Sequence, residues 1–158
     1  MPNISPLDPL LQAYAEFVRC IESLPEARFL TPLDGWSPRD VLAHLIDWNR
    51  LMIEASASIL MGKAPAYYAD APNDYRNINA GFVANYSSTS KVDLLRELEG
   101  SLGEFKAYVA GLPLAELSAD HGVIHHSGRP ATIAAIILSL AGDYRHHLRQ
   151  IRDWLAGG

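Results

Sequence analysis

Apolar residues recur along the chain at alternating steps of three and four in four separate segments. Such steps are typical of amphipathic helices, which turn one apolar stripe toward a core. In the first segment the stripe consists of Leu7, Leu10, Tyr14, Phe17, Ile21 and Leu24. The four segments predict helices near residues 6–24, 37–61, 90–110 and 131–156, and no segment shows the alternation of a strand.

The ends of the predicted helices carry residues that favour helix starts and stops. Ser37 is a suitable N-cap for the second helix, Pro38 suits its first position, and Asp40 lies near the exposed amides of its first turn. Gly111 and Pro113 end the third helix. Four long helices with one apolar face each pack together, so we predict an all-α four-helix bundle, with residues 1–158 forming a single domain.

The connections between the predicted helices are unequal in length. The longest joins the second and third helices, runs from Gly62 to about Tyr86, and is rich in Tyr, Asn and Asp. Loops of that length are uncommon unless they shape a site or an interface. We also predict a short helix within it, at about residues 77–85.

Composition narrows the class of protein. The 158 residues, 49% of them apolar and 20% charged, are ordinary for one globular domain. A net charge of −5, with no long run of Lys or Arg, argues against nucleic acid and anionic membranes as partners. The single cysteine, Cys20, excludes an intrachain disulfide, and we expect it to be buried or half-buried on the first helix. With no signal peptide or membrane span recognised, we expect a cytoplasmic protein.

Helical angles separate the inward-facing histidines from the others. At about 100° per residue, counted from the first apolar residue of each helix, His44 lies near 300°, inside the apolar stripe of the second helix. On the fourth helix, Asp143 lies near 280° and His147 near 320°, within an apolar arc from about 280° to 60°. His146 lies near 220°, outside that arc. We therefore predict that His44, Asp143 and His147 converge and that His146 points elsewhere.

These three residue types suit a metal ion. Asp143 and His147, four residues apart, rise from one helix face with Cβ atoms about 5–6 Å apart, and His44 can supply a third ligand. Two imidazoles and one carboxylate leave coordination positions open, as in catalytic metal sites. The same pattern also fits a hydrogen-bonded core histidine beside an Asp–His ion pair, so both interpretations stay open.

Other polar aromatic residues lie in the loops. Three further histidines precede the fourth helix: His121, His125 and His126. We expect these histidines to face solvent. Alternatively, His125 and His126 cover one end of the bundle. The long connection holds Tyr67, Tyr68 and Tyr75, which we expect to pack at the mouth of the site rather than to act there.

Three stretches of the chain resemble a known family. Residues 35–48 (GWSPRDVLAHLIDW) look like a second-helix signature, 74–80 (DYRNINA) like an Asn-rich segment ahead of the third helix, and 143–151 (DYRHHLRQI) like a final helix. The family is the DinB-like superfamily, and the branch is ClbS/DfsB. The resemblance covers nearly the whole chain and implies the DinB/YfiT-like four-helix bundle.

The family resemblance also implies a ligand set. Its metal-binding members hold the metal with one histidine on the second helix and two on the fourth, four residues apart. The matching positions here are His44, Asp143 and His147, so Asp143 replaces a histidine. A carboxylate also ligates Zn, Ni, Mn or Fe, so the replacement of histidine by Asp143 is compatible with binding of a divalent metal. It is equally compatible with a branch of the family that no longer binds metal.

Three functions follow from the resemblance. The first is a divalent-metal-dependent enzyme, a hydrolase or thiol-dependent transferase acting on a small molecule. The second is a metal-free self-protection or small-molecule-binding protein of the ClbS type, with Asp143 as a general base. The third is a non-catalytic dimeric binding module. Fold resemblance cannot choose among them. We expect a homodimer, because relatives commonly pair, and light scattering that gives a monomer mass would contradict this.

Overall fold

The structure is a computed structural model that describes residues 5–70 and 74–157, with six α-helices in those ranges. They are α1 (Asp8–Ser23), α2 (Glu26–Phe29), α3 (Pro38–Leu60), α4 (Arg76–Asn85), α5 (Lys91–Ala110) and α6 (Ile133–Gly157). The same ranges contain isolated β-bridges but no strand. The four long helices α1, α3, α5 and α6 match the four predicted segments, and α4 matches the predicted short helix. The all-α four-helix bundle is confirmed.

The long helices pack in two pairs, α1 on α6 and α3 on α5, and α3 also contacts α6. Each buries the stripe that its sequence pattern predicted. Fully buried side chains include Leu10, Phe17, Leu45, Leu98, Phe105 and Tyr144. The rings of Phe17 and Tyr144 meet edge to face with centroids 5.6 Å apart, so an aromatic contact joins α1 to α6.

A capping box fixes the start of α3. The backbone N–H of Asp40 donates to the Ser37 hydroxyl at 3.3 Å, and the backbone N–H of Ser37 donates to the Asp40 carboxylate at 3.1 Å. Pro38 takes the first helical position, where a missing N–H costs nothing. This start sets the rotation of α3, and therefore the direction in which His44, about two turns further on, meets the core.

The long connection between α3 and α5 folds back over α3. Its helix α4 packs against α3. The Arg39 guanidinium donates to the carbonyl of Tyr86 at 2.6 Å, and the Tyr86 hydroxyl donates to the Asp47 carboxylate at 2.9 Å. These bonds hold α4 beside the part of α3 that carries His44.

Two smaller predictions can be compared with the structure. Cys20 is half-buried on α1, as predicted. Within the described ranges, no helix combines the length and apolar character that a bilayer crossing requires.

Candidate metal centre

Three side chains from two helices meet at the α3–α6 contact. His44 Nε2 lies 2.9 Å from Asp143 Oδ2, and His147 Nε2 lies 3.2 Å from Asp143 Oδ1. The nearest potential ligand atoms of all three lie within 4.8 Å of one another. His146, on the same helix, is exposed. The convergence expected from the helical angles is therefore present, and metal binding by these residues stays a prediction.

The two imidazoles are buried and the carboxylate is partly exposed. The side chains of His44 and His147 are 8% and 9% exposed, whereas that of Asp143 is 31% exposed. Trp36 covers both imidazoles, with its ring centroid 5.0 Å from that of His44 and 6.2 Å from that of His147. Asp143 is therefore the most exposed member of the cluster.

Neighbouring side chains determine which His44 nitrogen carries hydrogen. The Trp48 indole N–H, which can only donate, donates to Asn79 Oδ1 at 2.7 Å and so fixes the orientation of that amide. His44 Nδ1 lies 3.0 Å from the same oxygen. Because that oxygen only accepts, Nδ1 must carry the hydrogen. In a neutral His44, Nε2 then presents its lone pair to Asp143.

His147 has a matching arrangement. Its Nδ1 lies 3.0 Å from Gln150 Oε1, one turn further along α6, and donates a hydrogen to it. In a neutral His147, the Nε2 lone pair also faces the carboxylate of Asp143. Metal-bound histidines commonly donate their second ring N–H to an oxygen acceptor in this way, which aims the free nitrogen at the cation.

Three electron-rich groups therefore face one another and need positive charge between them. Burial by itself raises the pKa of Asp143, but its contacts with His147 and His44 outweigh burial and hold that pKa below its ordinary value. The carboxylate is thus ionised at neutral pH. The charge can come from a proton on each Nε2 or from one cation. Two imidazolium rings with centroids 5.2 Å apart would repel each other, so the donor set fits a divalent cation better.

A cavity of about 320 Å³ opens beside the cluster. Asp143 and His44 form one end of its lining, and Trp48 with Tyr67 and Tyr75 forms a wall. The rings of Tyr67 and Tyr75 lie 5.4 and 5.5 Å from Trp48, so both tyrosines pack as expected. Burial raises the pKa of Tyr67, which keeps its phenol protonated.

The three loop histidines lie at two different positions in the fold. His121 lies beside Glu116, with Nε2 2.9 Å from a carboxylate oxygen, and is not part of the cluster. His125 and His126 are half-buried and contact the ring of Tyr68, with centroids 5.6 and 4.9 Å away. His125 also lines the cavity beside Asp143. The expectation that these two face solvent is wrong, and they cover one end of the site.

Sequence reasoning overlooked three side chains that support the cluster: Trp36, Asn79 and Gln150. Each acts through a contact with a histidine. All three lie in stretches that carry the family resemblance, which was the available signal: Trp36 in residues 35–48, Asn79 in 74–80 and Gln150 in 143–151. Gln150, three residues after His147 on a helix, could have been found from spacing.

The chain was compared with known families. A sequence model of the DinB superfamily matches residues 10–151. The chain belongs to the DinB superfamily. No curated protein matches this DinB-superfamily chain in sequence.

Solved structures share the fold of this DinB-superfamily protein. DfsB, a sibling lethal factor precursor, is 18% identical with a TM-score of 0.76, over 96% of this chain and 94% of DfsB. YfiT from Bacillus subtilis, described as a probable metal-dependent hydrolase with an unusual four-helix bundle topology, is 18% identical with a TM-score of 0.62, over 98% and 89%. A mycothiol-dependent maleylpyruvate isomerase is 14% identical with a TM-score of 0.73, over 92% of this chain and 59% of the isomerase. At these identities the likeness shows the fold alone.

Proposed function

We propose that this protein binds one divalent metal ion through His44, Asp143 and His147 and acts on a small molecule in the adjoining cavity. The observation that carries the proposal is the convergence of two imidazole Nε2 atoms on one ionised carboxylate, at 2.9 and 3.2 Å, with the Nδ1–H of His44 held by Asn79. Two nitrogens and one oxygen are a common ligand set for Zn, Ni, Mn or Fe.

The side chains of the site have separate roles that suit a metal-dependent enzyme. A divalent cation in this position would act as a Lewis acid, polarising a substrate or activating a nucleophile such as water or a thiol. Trp36 shields the two imidazoles from solvent, and Asn79 and Gln150 orient them. Trp48, Tyr67 and Tyr75 give the cavity beside Asp143 an aromatic wall. These roles suit a hydrolase or a thiol-dependent transferase. The fold shared with YfiT and with the mycothiol-dependent isomerase supports both kinds of enzyme.

A metal-free protective protein is the second candidate. Its support is the Asp143 carboxylate, which is ionised, 31% exposed and part of the cavity lining, as a general base would be. In that case both imidazoles orient Asp143, and the cavity holds a reactive electrophile.

Metal content separates the two candidates. Protein produced without a His-tag, in medium supplied with Zn, Ni, Mn and Fe, should contain about one equivalent of metal per chain by plasma mass spectrometry, since three ligands converge on one point. Dialysis against EDTA should remove the metal and any turnover of a test electrophile, assayed with and without a low-molecular-weight thiol. Turnover that survives in metal-free protein would favour the protective function.

Replacing Asn79 with leucine should weaken metal binding by about 10–100-fold, because the variant loses the acceptor that orients His44. Isothermal titration with Zn²⁺ measures the change. Asn77→Leu is the matched control, since Asn77 is exposed on the same helix α4 and should keep wild-type affinity. Equal affinities for the two variants would show that Asn79 does not orient a ligand.

A further inference from the structure

A second cavity, of about 420 Å³, adjoins the one beside Asp143. The two share four lining residues, Met52, Tyr67, His125 and Ser139. Together they form a groove that leads from the metal ligands, past the tyrosines, to the loop before α6. Each part alone falls within the range of cavities that hold small ligands.

The outer cavity is suited to an anion. Its lining contains one arginine, Arg129, and no Asp or Glu, although the chain carries a net charge of −5. Across residues 5–70 and 74–157, no carboxylate lies within ion-pair distance of the Arg129 guanidinium. An arginine without a protein partner at a cavity wall can bind a carboxylate through two parallel hydrogen bonds.

His125 adds a neutral hydrogen-bond donor to the same cavity. The backbone N–H of Ser127 donates to His125 Nδ1 at 3.2 Å, and the Ser127 hydroxyl lies 3.0 Å from that nitrogen. A backbone N–H can only donate, so Nδ1 accepts and the ring hydrogen is on Nε2. Burial, with a smaller effect from His126, lowers the pKa of His125, which agrees with a neutral ring. No residue in the described part of the chain accepts a hydrogen bond from His125 Nε2.

The remaining walls of the groove are mainly apolar, apart from hydroxyl groups such as those of Thr132 and Ser139. Met52 and Ile136 lie at its base, and the exposed Leu138 lies at its rim. The rings of Tyr67 and Tyr68 stand edge to face with centroids 5.0 Å apart. Such walls favour an aromatic or aliphatic body rather than a sugar or a nucleotide.

We propose that the groove binds a small apolar carboxylate. Arg129 and the Nε2–H of His125 hold the carboxylate group, and the apolar body lies along Tyr67 with its far end toward His44 and Asp143. The binding itself requires no metal. That such a molecule is the substrate rests on the proposed function.

The test uses phenylacetate, 3-phenylpropionate and 4-phenylbutyrate as probes, with 3-phenylpropan-1-ol as the uncharged counterpart. Each is titrated into the full-length, EDTA-dialysed protein while the indole N–H signal of Trp48 is followed by two-dimensional NMR. Metal-free protein is used so that a probe carboxylate cannot bind at a cation. At least one carboxylate should shift the Trp48 signal and bind about tenfold or more tightly than the alcohol, since hydrogen bonds to charged groups are strong.

Variants identify the group that holds the carboxylate. Arg129→Gln should weaken carboxylate binding about tenfold or more and leave the alcohol unchanged. His125→Leu should weaken it by a smaller factor. Arg149→Gln, at an exposed arginine of α6 outside the groove, should bind like the wild type. The proposal is overturned if no carboxylate moves the Trp48 signal, if the alcohol binds equally well, or if Arg149→Gln matches Arg129→Gln. A protein that binds carboxylates but no metal would keep this site and refute the proposed function.

Discussion

Replacing His147 with alanine should leave the protein with less than about a tenth of the metal that the wild type binds. The variant removes one of the three proposed protein ligands, and loss of a residue that only orients a ligand already costs about 10–100-fold in affinity. Plasma mass spectrometry on untagged protein gives the metal per chain. Far-ultraviolet circular dichroism on the same samples shows whether the variant still folds.

His146→Ala is the matched control for this experiment. His146 is adjacent in sequence and identical in type, but its side chain is exposed and absent from the cluster. The control should keep the full metal content. Equal losses from the two variants would show that the inward and outward histidines of α6 had been confused. Full metal content in both would exclude His147 as a ligand.

Replacing Phe17 with alanine should lower the free energy of unfolding by about 3–5 kcal/mol. Phe17 is completely buried and meets the Tyr144 ring at a centroid distance of 5.6 Å, so its removal leaves a cavity between α1 and α6. In a domain of this size the melting temperature should fall by roughly 2–4 °C for each kcal/mol. Urea unfolding followed by circular dichroism measures the change.

Val92→Ala provides the surface control. Val92 is 62% exposed on α5, so truncating it should change the unfolding free energy by no more than about 0.5 kcal/mol. If Phe17→Ala lowers the unfolding free energy by less than about 1 kcal/mol, the α1–α6 contact is less tightly packed than in the structure.

The fold and the ligand cluster could be predicted because both depend on helical periodicity. The apolar stripes predicted the four long helices, and the Ser37–Pro38 start predicted where α3 begins. Helical angles on two helices were enough to predict that His44, Asp143 and His147 converge, because an α-helix completes one turn every 3.6 residues wherever it lies in the fold. The short helix α2 was missed, because four residues are too few for a periodic pattern.

The surroundings of the cluster could not be predicted in this way. Asn79 reaches His44 across 35 positions of sequence, and Trp36 covers His147 from a loop. The place of His125 depends on a turn that crosses over the tyrosines of the long connection. Trp36 and His125 lie in loops, which have no fixed period. Asn79 lies on α4, but its spacing along that helix does not determine which residue of α3 it contacts.

The most direct test of the metal centre is a crystal structure of untagged protein, equilibrated with its preferred metal, with data collected at that metal's absorption edge. We expect one anomalous peak, within about 2.0–2.2 Å of His44 Nε2, His147 Nε2 and one Asp143 carboxylate oxygen, as for nitrogen and oxygen ligands of zinc. Nδ1 of His44 should still donate to Asn79. A peak held by His125 or His126 instead, or no peak at the cluster after equilibration with Zn, Ni, Mn and Fe in turn, would contradict the metal centre.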